Sequence, residues 1–144
     1  MNQEAFQSIV KKFETRRKEV SNDIYKNIEK LASLKSLKEV QVNMLSLRQK
    51  LLEDNHDIIE HLTILRKKYR SDRAAEMENI SKNLQLRYQP TEKSVVIDGK
   101  TAASKEMLEI FENQVEFFSE SIKTIDNIIY GIRTRLDIEK AVGL

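Results

Sequence analysis

The chain has 144 residues, of which 25 are Lys or Arg and 23 Asp or Glu, with three Gly, one Pro and no Cys. Without Cys there is neither a disulfide framework nor a thiolate metal site, and so few Gly exclude a phosphate-cradling loop and a dinucleotide fingerprint. High charge, 40% apolar residues and scarce Gly and Pro read as a mainly α protein of long helices. No apolar run approaches the ~18 residues of a membrane span and no hydrophobic leader core is seen, so no membrane contact and a cytoplasmic location are expected.

Residues 1–83 read as a helical basic region. Phe6, Ile9, Val10, Phe13, Val20, Ile24, Ile28, Leu31 and Leu34 recur at helical spacing, and a second run follows from Leu37 and Val40 through Met44, Leu47, Leu51, Ile58, Leu62 and Leu65 to Tyr69. Between them Leu31, Leu34, Leu37 and Val40 stand three apart, which slips the register of the seam. Two polar stretches, Ser21-Asn22-Asp23 and Glu53-Asp54-Asn55-His56-Asp57, are candidate corners, because Asp, Asn and Ser cap helices and initiate turns. The two histidines, His56 and His61, are five apart and do not share a helix face, so they read as ordinary polar residues. No catalytic residue, metal site or cofactor is expected, and the chain is not read as an enzyme.

The densest polar constellation is Arg66-Lys67-Lys68-Tyr69-Arg70-Ser71-Asp72-Arg73. Cations at this density suit a phosphodiester backbone, where each contact releases a counterion and adds affinity without sequence preference. On a helix Arg66, Arg70 and Arg73 form one stripe, with Leu62, Leu65 and Tyr69 expected on the opposite side. Tyr69, or Tyr88 with Arg87, would offer a ring on which an unpaired base stacks. The alternative is a solvated helix face with a core tyrosine.

Residues 84–99 break the pattern. Leu84, Leu86 and Tyr88 alternate with polar residues, Pro90-Thr91-Glu92-Lys93 reads as a turn, and Ser94-Val95-Val96-Ile97 is β-branched before Asp98-Gly99. A short β-hairpin-like link is predicted. It separates the basic region from residues 100–144, whose helix is expected to be capped by Thr101 or Ser104.

That last helix keeps a heptad rhythm: Leu108, Phe111, Val115, Phe118, Ile122, Ile125, Ile129, Ile132 and Leu136 alternate at spacings of three and four. With Val115 at a, the d residues are Phe111, Phe118, Ile125 and Ile132. Ile at both a and d favours three or more strands over two, so a coiled-coil-type assembly helix and a homo-oligomer of more than two subunits are predicted. Packing against the chain's own long helix is the alternative. Glu109, Glu112, Glu116 and Glu120 make an acidic flank that suits the helix dipole or a basic partner.

Taken together, the segments from the basic helix onward resemble the UvsY-like recombination mediator proteins of tailed phages. Leu65-Arg66-Lys67-Lys68-Tyr69 is similar to that family's DNA-contacting motif, and Glu92-Lys93-Ser94-Val95-Val96-Ile97-Asp98 to its link. Val115-Glu116-Phe117-Phe118, Ile122-Lys123-Thr124-Ile125 and Ile128-Ile129 look like its terminal helix. The resemblance implies a phage-encoded ring-like homo-oligomer that binds single-stranded DNA, contacts a single-strand-binding protein and helps load a RecA-like recombinase. The competing reading is a structural coiled-coil scaffold, chaperone or virion assembly protein without nucleic-acid binding.

Overall fold

A computed structural model of the chain describes residues 2–82 and 88–143. The described residues contain four α-helices: α1 (Gln3–Lys30), α2 (Leu37–Lys82), α3 (Pro90–Lys100) and α4 (Ala102–Ala141), with a single 3-10 turn at Leu34–Ser36. Among the described residues there is no strand, and no helix is long and apolar enough to cross a membrane. The Asn2 side chain accepts the Ala5 amide at 2.8 Å to start α1, and Gly143, at φ +77°, follows the end of α4 in a left-handed conformation that glycine adopts without steric cost.

Neither polar stretch is a corner. Ser21–Asp23 lies inside α1, and Glu53–Asp57 inside α2. The helix continues through the second stretch because Leu51, Ile58 and Leu62 keep their period across it, and because Asp54 pairs with Arg16 at 2.8 Å instead of capping. The chain turns at Ala32–Ser36 instead. There the three-residue spacing of Leu31, Leu34 and Leu37 coincides with the 3-10 turn, whose side chains eclipse at i and i+3.

The helices form two compact units. The first comprises Met1–His56 with Gln114–Leu144, and the second Asp57–Asn113. In the first, Arg16–Asp54 and Lys30–Glu39 set α1 antiparallel to α2, while Arg17–Gln114 and Arg135–Leu31 set it parallel to α4. Its core is Val20 and Ile24 of α1, Leu37, Val40, Met44, Leu47 and Leu51 of α2, and Phe118, Ile125, Ile129 and Ile132 of α4. In the second, Leu62 and Ile80 of α2, Ile97 of α3, and Met107 and Phe111 of α4 are buried.

The β-hairpin-like link is corrected by α3. Pro90 occupies the first helical position, where its missing amide costs nothing, and the Glu92 carboxylate reaches back to accept the Gln89 amide at 3.0 Å. Val95 is exposed, Val96 half-buried and Ile97 buried, so the β-branched run presents one core residue at helical spacing. The alternation at Leu84–Arg87 lies outside the described residues. Thr101 does not cap α4 through its side chain, since its hydroxyl donates to the Ile97 carbonyl at 2.7 Å; Ser104 lies within α4 and donates to Asp72 at 2.6 Å.

The coiled-coil assembly seam is likewise corrected. The d residues Phe111, Phe118, Ile125 and Ile132 are buried within their own chain, as is Ile129. The remaining a residues, Leu108, Val115, Ile122 and Leu136, are only half-buried. The buried stripe is instead completed on the other side of d by Met107, Gln114 and Ser121. Two of these are polar, so the apolar pattern points at the a/d edge while the packed face is rotated toward them.

A cis-packed seam has a distinct thermodynamic signature. Ile125→Ala should cost about 2–5 kcal/mol of stability and leave the protein's mass in solution unchanged. Loss of a larger assembly in the variant would instead place the seam between chains. Backbone carbon shifts should also be helical from Pro90 to Lys100, and Glu92→Ala should fray that helix's first turn.

Candidate nucleic-acid interface

The basic stretch lies on α2 in the second unit. Leu62 is buried, and Leu65 and Tyr69 are half-buried, which defines the inward side of the helix. At ~100° per residue, Arg66 and Arg73 fall beside that side rather than opposite it. The expected segregation of the three arginines from Leu62, Leu65 and Tyr69 is therefore corrected. Arg66 Nη2 lies 3.5 Å from Glu112 Oε1, and Arg73 Nη1 lies 2.7 Å from Asp98 Oδ1. Arg73 also sits 5.7 Å above the Tyr69 ring and donates to its hydroxyl at 3.3 Å. The Asp98 hydrogen bond raises the Arg73 pKa, so the guanidinium is charged under all ordinary conditions.

Lys67, Lys68 and Arg70 are different. All three are exposed, and among the described residues none has an ion-pair partner. Lys67 is on the far side of the helix from the core, with Lys68 and Arg70 to either side, so they form a collar around one turn. Tyr88, half-buried, lies just before α3, and Arg87 is outside the described residues. The residues missed from sequence are the carboxylates. Asp98 reads as a turn former and Glu112 as dipole-matched, yet both meet arginines of the cluster.

The first unit has a polar layer of its own. Gln114, 0% exposed, accepts from Arg17 Nη1 at 2.7 Å, and its amide faces the Phe13 carbonyl at 3.5 Å. Asn43 Nδ2 donates to Asn27 Oδ1 at 3.1 Å, and Asn27 in turn donates to the Asp23 carbonyl. Arg135 donates to the Leu31 carbonyl at 2.6 Å, satisfying the end of α1. An open groove of about 430 Å³ lies beside it, lined by Leu31, Leu37, Ile128, Gly131 and Ile132. Its lone charged group among the described residues is the Arg135 that already caps α1, with Thr124 and Asn127 as its other polar side chains. Among the described residues no group of three or more His, Asp or Glu could hold a metal ion. In the second unit, His61 stacks on Phe111 at 6.3 Å and its Nδ1 meets the Asp57 carbonyl at 2.8 Å.

No protein-family model matches this chain, and neither a curated protein nor a solved structure does.

Proposed function

We propose that the protein is a helical accessory factor that binds single-stranded nucleic acid through the exposed cations of α2. The observation that carries this reading is the collar of Lys67, Lys68 and Arg70, three cations within one helical turn that no carboxylate among the described residues neutralises. Phosphate contacts of this kind release counterions and are sequence-independent. Arg66 and Arg73 stand at the edge of the collar, and Tyr69 supplies a ring beside it.

The resemblance to UvsY-like mediators extends the proposal to its role. The bound strand would be handed to a RecA-like recombinase while a single-strand-binding protein is displaced, and no bond is made or broken. Three phosphate contacts on one chain give weak binding, and a homo-oligomer of more than two subunits would raise the effective concentration of such sites. Assembly of that kind would use a surface other than the buried d residues of α4.

One observation favours a structural helical scaffold as the second reading. Asp57–Asn113 carries ten Lys or Arg and ten Asp or Glu, so the unit presenting the collar has no net field to draw in a polyanion. Salt titration of binding to labelled oligo(dT) separates the two. The parent should show a slope of log K against log salt of about −2, from three contacts at roughly 0.7 each on a single strand. Replacing Lys67, Lys68 and Arg70 by Ala should weaken binding at least tenfold at about 50 mM salt and flatten the slope toward zero, with the melting temperature unchanged. Equal affinity and slope in parent and variant would leave the scaffold as the function.

A further inference from the structure

We propose that Asp98 is a latch that holds Arg73, and with it the face of Tyr69, away from nucleic acid, so that single-strand binding is gated by the last turn of α3. The inference rests on the reading of α2 as the nucleic-acid contact. Asp98 Oδ1 holds Arg73 Nη1 at 2.7 Å, in the position a phosphate oxygen would take. Held this way, the guanidinium lies over the Tyr69 ring and bonds its hydroxyl. One carboxylate therefore keeps two nucleic-acid groups occupied, a cation for the backbone and an aromatic face for a base.

The latch is built to release. Asp98 sits in the last turn of α3, where the negative end of the helix dipole disfavours a carboxylate, so its placement does not serve its own helix. Gly99 follows it, a residue that weakens a helix interior by about 1 kcal/mol. Nothing lies within 4 Å of where a Gly99 Cβ would stand, so packing does not require the glycine. α3 is 11 residues long with Ile97 as its one buried residue, and a helix of that length has little stability of its own. The Asp98 side chain is 62% exposed, which places the ion pair within reach of a competing phosphate. Displacement of the Asp98 side chain by a phosphate frees Arg73 and uncovers Tyr69 for stacking.

The test uses the full chain and two labelled probes, oligo(dT) and an abasic oligonucleotide of equal length. Asp98→Asn should tighten oligo(dT) binding about three- to tenfold at about 50 mM salt and steepen the salt slope by roughly 0.7, one added contact. The gain should be smaller on the abasic strand, which has no base to stack. Adding Arg73→Ala to Asp98→Asn should abolish the gain, and Asp98→Ser should reproduce it if the Asn variant folds poorly. A parent that binds while Asp98→Asn and Asp98→Ser bind no more tightly overturns the latch alone. A gain that survives Arg73→Ala also overturns it, because the effect is then general loss of negative charge. Equal gains on both probes overturn the uncovering of Tyr69. A parent that binds neither probe removes the nucleic-acid reading itself.

Discussion

Burial of the α4 d residues inside their own chain is the interaction on which the rest of the first unit depends. Phe118, Ile125 and Ile132 are each at most 2% exposed, and Val40, Met44 and Leu51 on α2 and Val20 and Ile24 on α1 are buried in the same unit. A fully buried side chain of this size contributes about 1.5–3 kcal/mol relative to an exposed one. No single-helix propensity term approaches the sum. Long helices with little intrinsic preference for one another are thereby held in one arrangement, and the d edge of the α4 heptad is occupied within the chain.

Apolar burial does not by itself choose the register, because a helix can slide along a greasy seam by a turn at modest cost. The polar layer makes that choice. Moving α1 against α4 would strand the fully buried Gln114 amide from Arg17 and the Phe13 carbonyl, and moving α1 against α2 would separate Asn27 from Asn43. An unpaired buried amide costs about 1–3 kcal/mol. Arg135 on the Leu31 carbonyl fixes the turn after α1 in the same way. These contacts add little net stability over a matched apolar pair, and they penalise every other alignment.

In the second unit the polar groups are nearer the surface and serve a different end. Arg66 and Arg73 meet Glu112 and Asp98 through side chains that are 31–62% exposed, a range in which an ion pair is worth at most about 1 kcal/mol. Such pairs orient side chains without locking them. Among the described residues they leave Lys67, Lys68 and Arg70 as the cluster's cations without an ion-pair partner, with Arg66 and Arg73 paired on the side of Tyr69. A polyanion meeting this surface would compete with carboxylates already in place, so affinity and its salt dependence would be set by which internal pairs open.

The helical class, the buried d residues of α4 and the cation cluster were legible in the sequence because they depend on composition and on a period of 3.6, which are local properties. Even the turn after α1 left a trace, as the three-residue spacing from Leu31 to Val40. Three outcomes needed the tertiary structure. Ser94–Ile97 became helix because Pro90 and Glu92 start one and Ile97 finds a core, whereas β-branched residues favour a strand only when a partner strand is present. The buried face of α4 turned toward Gln114 and Ser121 because burial of polar groups is decided by their hydrogen-bond partners, to which a hydrophobic pattern is blind. Arg66 and Arg73 acquired carboxylates from segments tens of residues away, since charge pairing follows distance in space. Sequence determined which residues could bury or carry charge, and packing decided which neighbours would complete them.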